Sequence, residues 1–210
     1  MFSPYLGAEY QEHDIFRATE KLQKDLLIRC PQNIYLETAL SLTKGEIVGW
    51  FQGRGECGPR ALGNRSILAD PRRDNMKDLI NSKVKFREEF RPFAPAVLWE
   101  HQSEYFDLDI PSPYMLYVAN VKEEKKHIIP AVTHVDGTAR IQSVIKDLSP
   151  HFYMLISAFY HLTDVPIVLN TSFNVRGEPI VETPEDAIRC FVKTGMDKLC
   201  IGRYVIEKRR

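Results

Sequence analysis

The chain has 210 residues, in which 28 lysines and arginines balance 28 aspartates and glutamates, so its formal net charge is zero. Hydrophobic residues make up 44% and charged residues 27%, an ordinary globular composition that excludes a disordered tail, a collagen-like repeat and a coiled coil. No apolar run approaches the roughly 18 residues of a membrane span. The first residues also lack the basic start and apolar run that are typical of a signal peptide. We therefore expect residues 1–210 to form one cytoplasmic domain.

Hydrophobic spacing predicts helices interspersed with strands along the whole chain. In chain order, the predicted elements are a helix over 12–26, a helix over 36–43, a strand over 46–51, a strand over 66–68, a helix over 75–82, an extended segment over 92–99, an alternating strand over 114–120, a helix over 150–162, a strand over 166–169, a helix over 184–193 and a closing strand over 199–207. Asp74 is the predicted N-cap of the third helix, and Thr183-Pro184 opens the last one. This alternation predicts an α/β or α+β fold with a mixed sheet.

A glycine-rich stretch follows the strand predicted over 46–51. Residues 53–58 match the pattern G-x-G-x-x-G of dinucleotide-binding loops, but a proline and a glycine within the next five residues interrupt the long helix that such loops require. We interpret the stretch as a loop that exposes backbone N–H groups to a phosphate. The loop arginines that would supply charge are Arg54, Arg60 and Arg65. The alternative, weighed equally, is a tight turn whose arginines pair with Glu56 and Asp70.

Positive charge is concentrated in one part of the chain. Residues 54–91 contain ten basic and six acidic side chains, whereas residues 92–121 contain no lysine or arginine. Such a local excess in a neutral protein indicates a discrete anion site. Alternation around Lys85 directs some of these charges inward, and Arg91 follows in the same segment. The alternative is a loop with surface ion pairs to the neighbouring glutamates.

Two further motifs place polar side chains beside predicted strands. An Asp136-Gly turn precedes Arg140 at the start of an alternating segment, which favours a position in a cleft. The strand over 166–169 ends in the polar residues 170–174, and open α/β sheets bind ligands at such ends. Taken alone, the second motif is equally typical of a turn rich in asparagine and serine.

Metal and hydrolase chemistry receive little support from the sequence. The six histidines and four cysteines have no metal-ligand spacing, so we predict no metal site. Ser172 lacks the glycine context of a hydrolase nucleophile.

Taken together, these motifs resemble one family. Residues 53–68, GRGECGPRALGNRSIL, resemble the signature G-R-x-E-x-G-P-R-A-L-G-x-R-S-I-L of the nodulation and antibiotic O-carbamoyltransferases, the NodU/CmcH type. The blocks RPFAP at 91–95, DGTAR at 136–140, NTSFN at 170–174 and TPEDA at 183–187 match the same family in order and approximate spacing. The resemblance extends from about residue 3 to residue 203.

This resemblance implies a YrdC-like domain, a twisted open mixed sheet flanked by helices. In the family, such a domain follows an N-terminal Kae1-like domain, which this chain lacks. The reaction implied for the YrdC-like half joins carbamoyl phosphate and ATP into carbamoyl-adenylate, with Mg²⁺ bound to ATP as co-substrate. The carbamoyl group then passes to a hydroxyl acceptor in the Kae1-like domain, which is therefore the expected partner.

The family motifs also assign residue roles. The implied catalytic residues are Lys85, Arg140 and Ser172. The implied substrate- and nucleotide-binding residues are Arg54, Arg60, Arg65, Arg91, Asn170, Thr171 and Asn174. In this assignment Arg140 and Ser172 bind the α-phosphate or the carbamoyl end, and the arginines of the glycine-rich loop hold phosphates.

Two alternatives belong to other functional classes. The domain can be a non-catalytic nucleotide- or phosphate-binding module that serves a separate subunit. It can also bind RNA through a basic concave face, but the neutral net charge and the uncharged stretch argue against nucleic acid. The sequence leaves a homodimer and the identity of the acceptor open.

Overall fold

The computed structural model describes residues 2–20, 26–86 and 92–209, which build one nine-stranded mixed sheet. The strands are β1 Leu26–Arg29, β2 Val48–Phe51, β3 Arg65–Ala69, β4 Ala94–Leu98, β5 Tyr117–Asn120, β6 Thr138–Val144, β7 Ile167–Ser172, β8 Lys198–Ile201 and β9 Tyr204–Lys208. Their order across the sheet is β1-β9-β8-β2-β3-β7-β4-β6-β5. Only the pairs β2–β8 and β4–β6 are parallel among the described strands.

The central strands are buried along their whole length. Every residue of β2, β3, β4 and β8 is buried, which is typical of strands covered on both faces. In β2, Trp50 lies 6.2 Å from the ring of Tyr35, and Phe51 lies 6.1 Å from the ring of Tyr10. Because successive residues of a strand point to opposite faces, these contacts place helix α2 (Ile34–Thr43) and the segment before helix α1 (Glu12–Glu20) on opposite sides of the sheet.

Helices flank the sheet, as the YrdC-like prediction requires. Among the described residues they are α1 Glu12–Glu20, α2 Ile34–Thr43, α3 Met76–Ile80, α4 Gln102–Tyr105, α5 Pro150–Thr163 and α6 Pro184–Lys193, with a π-helix over Asn81–Lys85 and short 3₁₀ turns over Trp99–His101, Glu123–Lys125 and Pro130–Val132. Thr183 and Asp186 form a capping box at the start of α6. No helix in the described ranges is long and apolar enough to cross a membrane.

The closing strand predicted over 199–207 is wrong, because this segment forms a hairpin. The turn between β8 and β9 contains Gly202, whose φ of +54° is left-handed. The side chain of Gln52 donates to the Gly202 carbonyl over 2.9 Å, which fixes the turn against the end of β2. The apolar residues on both sides of the turn concealed this break in the pattern.

Three further predictions need correction. The helix predicted over 12–26 ends too late, since Leu26 pairs with Lys208 as the first residue of β1. The third helix begins after Asn75 in helical backbone geometry without a side-chain cap, so Asp74 is not its N-cap. The strand predicted over 114–120 is confirmed only for its second half, and β5 shows no alternation of buried and exposed residues because it lies at the edge of the sheet.

Candidate functional site

Polar side chains meet at the end of β7, where Lys85 reaches across from the π-helix. The helix stops at Phe86, whose φ of 49° is left-handed. Lys85 is 3% exposed, and its ammonium donates to the backbone oxygens of Ser172 and Asn174 over 2.5 and 3.0 Å. It also donates to Asn174 Oδ1 over 2.8 Å and lies 3.3 Å from Ser172 Oγ. The structure thus fixes a positive charge at the carboxyl end of this strand.

The Ser172 hydroxyl joins the same group of hydrogen bonds. It donates to Asn174 Oδ1 over 2.8 Å, while the Asn174 amide nitrogen donates to the Glu178 carbonyl over 2.8 Å. Because the serine proton points to Asn174, its lone pairs face the Lys85 ammonium. The three predicted residues Lys85, Ser172 and Asn174 therefore form one connected unit.

Arg140 on β6 lines a small cavity of about 90 Å³, here called the Arg140 cavity. Arg60, Asn170, Thr171 and Ser172 line the same cavity. Arg140 is half-buried, and its Nε is buried without a hydrogen-bond partner. Burial and the charge of nearby Arg60 lower the pKa of Arg140. Within the described ranges no carboxylate pairs with Arg140, so two cations face this cavity without a counter-ion.

Asn170 contributes an unsatisfied acceptor to the same cavity. Leu62 O accepts from Gln142 Nε2 over 2.7 Å, which fixes the orientation of that amide. Gln142 Oε1 in turn accepts from Asn170 Nδ2 over 2.7 Å. Asn170 Oδ1 is left buried with no hydrogen-bond partner. Buried polar atoms are normally paired, and these two unpaired atoms, Asn170 Oδ1 and Arg140 Nε, belong to residues that line the same cavity.

The glycine-rich loop is held by its own polar groups. Glu56 Oε1 accepts from the backbone N–H groups of Leu62, Asn64 and Arg65 over 2.7, 2.8 and 3.1 Å. The alternative in which loop arginines pair with Glu56 and Asp70 is therefore wrong. Glu56 binds backbone N–H groups instead, and Asp70 pairs with Arg72, which lies after the loop, over 2.7 Å.

Arg65 differs from its predicted role as a phosphate ligand. It is 2% exposed, and its two terminal nitrogens donate to four backbone carbonyls over 2.8–3.2 Å. Its guanidinium also lies 3.5 Å from the centre of the Phe51 ring. Burial lowers the pKa of Arg65 to about 10. Since these donors are already occupied, Arg65 stabilises the loop from within.

The remaining predicted binding residues are Arg54 and Arg91, and Arg54 is not among the residues that line the Arg140 cavity. Arg54 is exposed and donates to the Leu6 carbonyl over 3.3 Å. Arg91 lies outside the described residues, and Pro92, which follows it, lines the cavity. Sequence reasoning considered Glu56 only as an ion-pair partner of the loop arginines and gave no role to Gln142, although Glu56 stands within the sixteen-residue signature.

Two larger cavities adjoin the Arg140 cavity. One of about 540 Å³ shares Pro59 with it and contains Asn174 and Glu182. The other, of about 370 Å³, shares Phe93 with it and contains His134. Both have the size of ordinary ligand pockets. No group of three or more potential metal ligands occurs in the described part of the chain, and the prediction of no metal site stays a prediction.

Similarity to known proteins covers most of the chain. Residues 39–208 match the family described as "Carbamoyltransferase C-terminus". Nodulation protein NolO of Bradyrhizobium diazoefficiens is 50% identical over 171 residues, which cover 80% of this chain and 31% of the relative. The 3'-hydroxymethylcephem-O-carbamoyltransferase of Amycolatopsis lactamdurans is 39% identical over 166 residues, which cover 79% of this chain and 31% of that protein. The chain thus spans about a third of the length of these relatives.

Solved structures share the fold at low sequence identity. Full-length HypF, in a phosphate- and nucleotide-bound form, superposes with a TM-score of 0.55 at 18% identity, covering 88% of this chain and 22% of HypF. Sua5 of P. abyssi, complexed with L-threonine, gives a TM-score of 0.56 at 15% identity, covering 84% of this chain and 47% of Sua5. These likenesses concern the fold alone, and they confirm the predicted YrdC-like open sheet.

Proposed function

Because this chain belongs to the carbamoyltransferase C-terminal family, we propose that it binds carbamoyl phosphate and ATP and forms carbamoyl-adenylate. Carbamoyl phosphate loses its phosphoryl group to water as inorganic phosphate. The resulting carbamate attacks the α-phosphorus of ATP, and pyrophosphate leaves. Mg²⁺ arrives with ATP as part of this co-substrate. The observation that carries the proposal is the pair of unsatisfied polar atoms at one small cavity, Arg140 Nε and Asn170 Oδ1.

A carbamoyl group fits this pair better than a phosphate alone. Its oxygens accept hydrogen bonds from a guanidinium, which binds carboxylate-like groups with two parallel N–H donors. Its amino group donates to an acceptor such as Asn170 Oδ1. A fully ionised phosphoryl group has no hydrogen to donate and would leave that oxygen unsatisfied. The carbamoyl end therefore lies between Arg140 and Asn170.

The surrounding charges suit the phosphoryl chemistry. Carbamoyl phosphate and ATP are both polyanions, so bringing them together requires several fixed cations in a small volume. Catalysis of attack on the α-phosphorus consists mainly of positioning and charge stabilisation. Arg60 and Arg140 line the cavity and supply charge there, and the Lys85 ammonium, whose hydrogen bonds go to Ser172 and Asn174, adds positive potential at the end of β7 without direct contact to the ligand.

Cavity size and lining support the same reaction. A volume of about 90 Å³ suits a carbamoyl or phosphoryl group and is too small for a nucleoside, which occupies an adjoining larger cavity. Pro59, Phe93 and Met115 contribute the smaller, apolar part of a mainly polar lining, which suits a charged carbamoyl or phosphoryl group.

The acceptor and its binding site are proposed to lie outside this chain. The chain spans about a third of its curated relatives, one of which is named as an O-carbamoyltransferase. We assign acceptor binding to a Kae1-like domain or subunit that receives carbamoyl-adenylate from this one.

The Arg140 variants test the binding part of this proposal. We expect Arg140→Ala to weaken carbamoyl phosphate binding thirty-fold or more, because losing one partner of a desolvated charged contact costs roughly 2–5 kcal/mol. Arg140→Lys should restore only part of the affinity, since an ammonium lacks the two-pronged geometry. The measurement is calorimetric titration with carbamoyl phosphate, alongside a melting curve for each variant.

Arg189→Ala is the matched control, because Arg189 is an exposed arginine on α6 that pairs with Asp186. It should bind carbamoyl phosphate like the wild type. A folded Arg140→Ala protein whose affinity stays within threefold of the wild type would contradict the assignment of Arg140.

A further inference from the structure

Residues Phe2–Ala8, here called the N-terminal strap, lie along the glycine-rich loop. Gly7 N–H donates to Gly55 O over 2.9 Å, and Gly55 N–H donates back to Ala8 O over 3.0 Å. Cys57 N–H donates to Pro4 O over 2.8 Å. A Cβ on Gly7 would lie 2.9 Å from Gly55 O, so the two backbones meet as closely as glycine allows. The strap therefore fixes the position of the loop that carries Arg60.

The same strap reaches the wall of the Arg140 cavity. Tyr5 packs with Leu62, Ala94 and Met115 in a small apolar cluster, and Met115 lines that cavity. Met115 has a left-handed φ of 55°, a backbone conformation that its surroundings must hold in place. The strap contributes the Tyr5 side chain to those surroundings.

A buried chain of hydrogen bonds connects Tyr5 to the cavity floor. The Tyr5 hydroxyl donates to Leu62 O over 2.9 Å, the same oxygen that accepts from Gln142 Nε2 over 2.7 Å. Gln142 Oε1 then accepts from Asn170 Nδ2. Burial raises the pKa of Tyr5, so its hydroxyl remains a donor over the working pH range. Each hydrogen bond orients the next polar group in the chain. Asn170, the last residue in it, lines the cavity and keeps its Oδ1 without a partner.

We propose that the N-terminal strap positions the Arg140 cavity for its ligand, with Tyr5 as a positioning residue that acts through Leu62 O and Gln142 on Asn170. The strap precedes residues 39–208, the part that matches the family. The inference rests on the proposed function, because it takes the Arg140 cavity to be the ligand site. On this inference, the strap affects how strongly the ligand binds without contacting the ligand itself.

Tyr5→Phe tests this inference, since it keeps the ring and removes only the hydroxyl. We expect carbamoyl phosphate to bind about three- to tenfold more weakly, the change expected when one hydrogen bond is lost. Deleting residues 2–8 should weaken binding further. Tyr35→Phe is the matched control, because it loses a 2.7 Å contact between its hydroxyl and His151 Nδ1, a residue that does not line the cavity. Titrations are done at a temperature where melting curves show every variant to be folded.

A double variant separates positioning from general stability. In an Asn170→Ala background, Tyr5→Phe should cost no further affinity, because its effect passes through Asn170. Tyr5→Phe binding that equals the wild type, or an equal loss in both backgrounds, would overturn the inference. If the wild type binds no carbamoyl phosphate, the proposed function fails. Hydrogen exchange of the amides of residues 55–65 then decides the strap's role: faster exchange in Tyr5→Phe than in Tyr35→Phe supports it, and equal exchange overturns it.

Discussion

Arg65 and Arg140 both lie on strands, yet the structure gives their guanidinium groups different environments. Arg65 donates to four backbone carbonyls and is 2% exposed. Arg140 is half-buried with an unpaired Nε and a second cation nearby. The first arrangement uses both terminal nitrogens of Arg65 within the fold and leaves only its buried Nε unpaired, whereas no hydrogen bond within the described residues occupies the Arg140 guanidinium. This difference depends on carbonyls from distant parts of the chain.

Arg65→Met tests that division of roles. Methionine fills a similar volume but removes one donor from each of four backbone carbonyls, two of them in buried hydrogen bonds, so we expect a loss of stability of at least about 2 kcal/mol. Urea unfolding measures it, with Arg189→Met as a control for the removal of one positive charge at an exposed position. Unchanged stability combined with lost carbamoyl phosphate binding would show instead that Arg65 is a ligand-binding residue.

The sequence predicted most residues of the candidate site but not the residues that hold them. Arg60, Arg140 and Asn170 stood in motifs, and the family resemblance joined motifs that lie far apart in the chain. Gln142 received no role, and Glu56 was considered only as an ion-pair partner of arginines, because a carboxylate that accepts three backbone N–H groups has no distinctive neighbours in the sequence. Their importance becomes visible only when the folded loop brings its N–H groups to one oxygen.

At the scale of elements, the glycine-rich loop is fitted closely against α5. Gly63 has a φ of +109°, and a Cβ there would lie 2.1 Å from the ring of Phe152, which is fully buried on α5. Gly58 in the same loop has a φ of +106°, but a Cβ added there would have no other atom within 4 Å. The two glycines share the backbone requirement and differ in the space available.

Comparing Gly63→Ala with Gly58→Ala therefore isolates the packing contact. Both variants lose roughly 1–2 kcal/mol to the unfavourable backbone conformation. Gly63→Ala should lose about 1–3 kcal/mol more, because the buried phenylalanine has to move. Thermal melts of both variants measure the difference, and equal stability would show that the loop does not pack against α5 as described.

The elements that the sequence predicted well carry their signals locally. The helix predicted over 184–193 agrees with α6 because a capping box and an N1 proline mark its start. The hairpin of β8 and β9 was missed because its turn has one glycine within an apolar run. β1 was missed, and only its first residue, Leu26, fell in a predicted helix, because its pairing with β9 joins residues near the two ends of the chain, which no local pattern records.

At the scale of the whole molecule, strand order is the property furthest from sequence reasoning. β2 lies between β8 and β3, and β7 lies between β3 and β4, so most neighbours in the sheet are distant in the chain. The YrdC-like fold was predicted from family resemblance, and periodicity alone predicted only a mixed sheet. The order matters for function, because it brings β6 and β7 to the two sides of β4 and so brings Arg140 and Asn170 to one cavity.

The chain also spans about a third of the length of its curated relatives. On the proposed account it forms carbamoyl-adenylate, and the transfer to a hydroxyl acceptor takes place elsewhere. The central claim is therefore that this chain catalyses the formation of carbamoyl-adenylate by itself.

Isotope exchange between pyrophosphate and ATP measures that half-reaction most directly. We expect labelled pyrophosphate to enter ATP only when carbamoyl phosphate and Mg²⁺ are present. The exchange should be lost in Arg140→Ala and retained in Arg189→Ala, because only the first removes a cation from the cavity. Absence of carbamoyl-phosphate-dependent exchange, in a wild-type protein that still binds ATP, would contradict the account and favour a non-catalytic nucleotide-binding module.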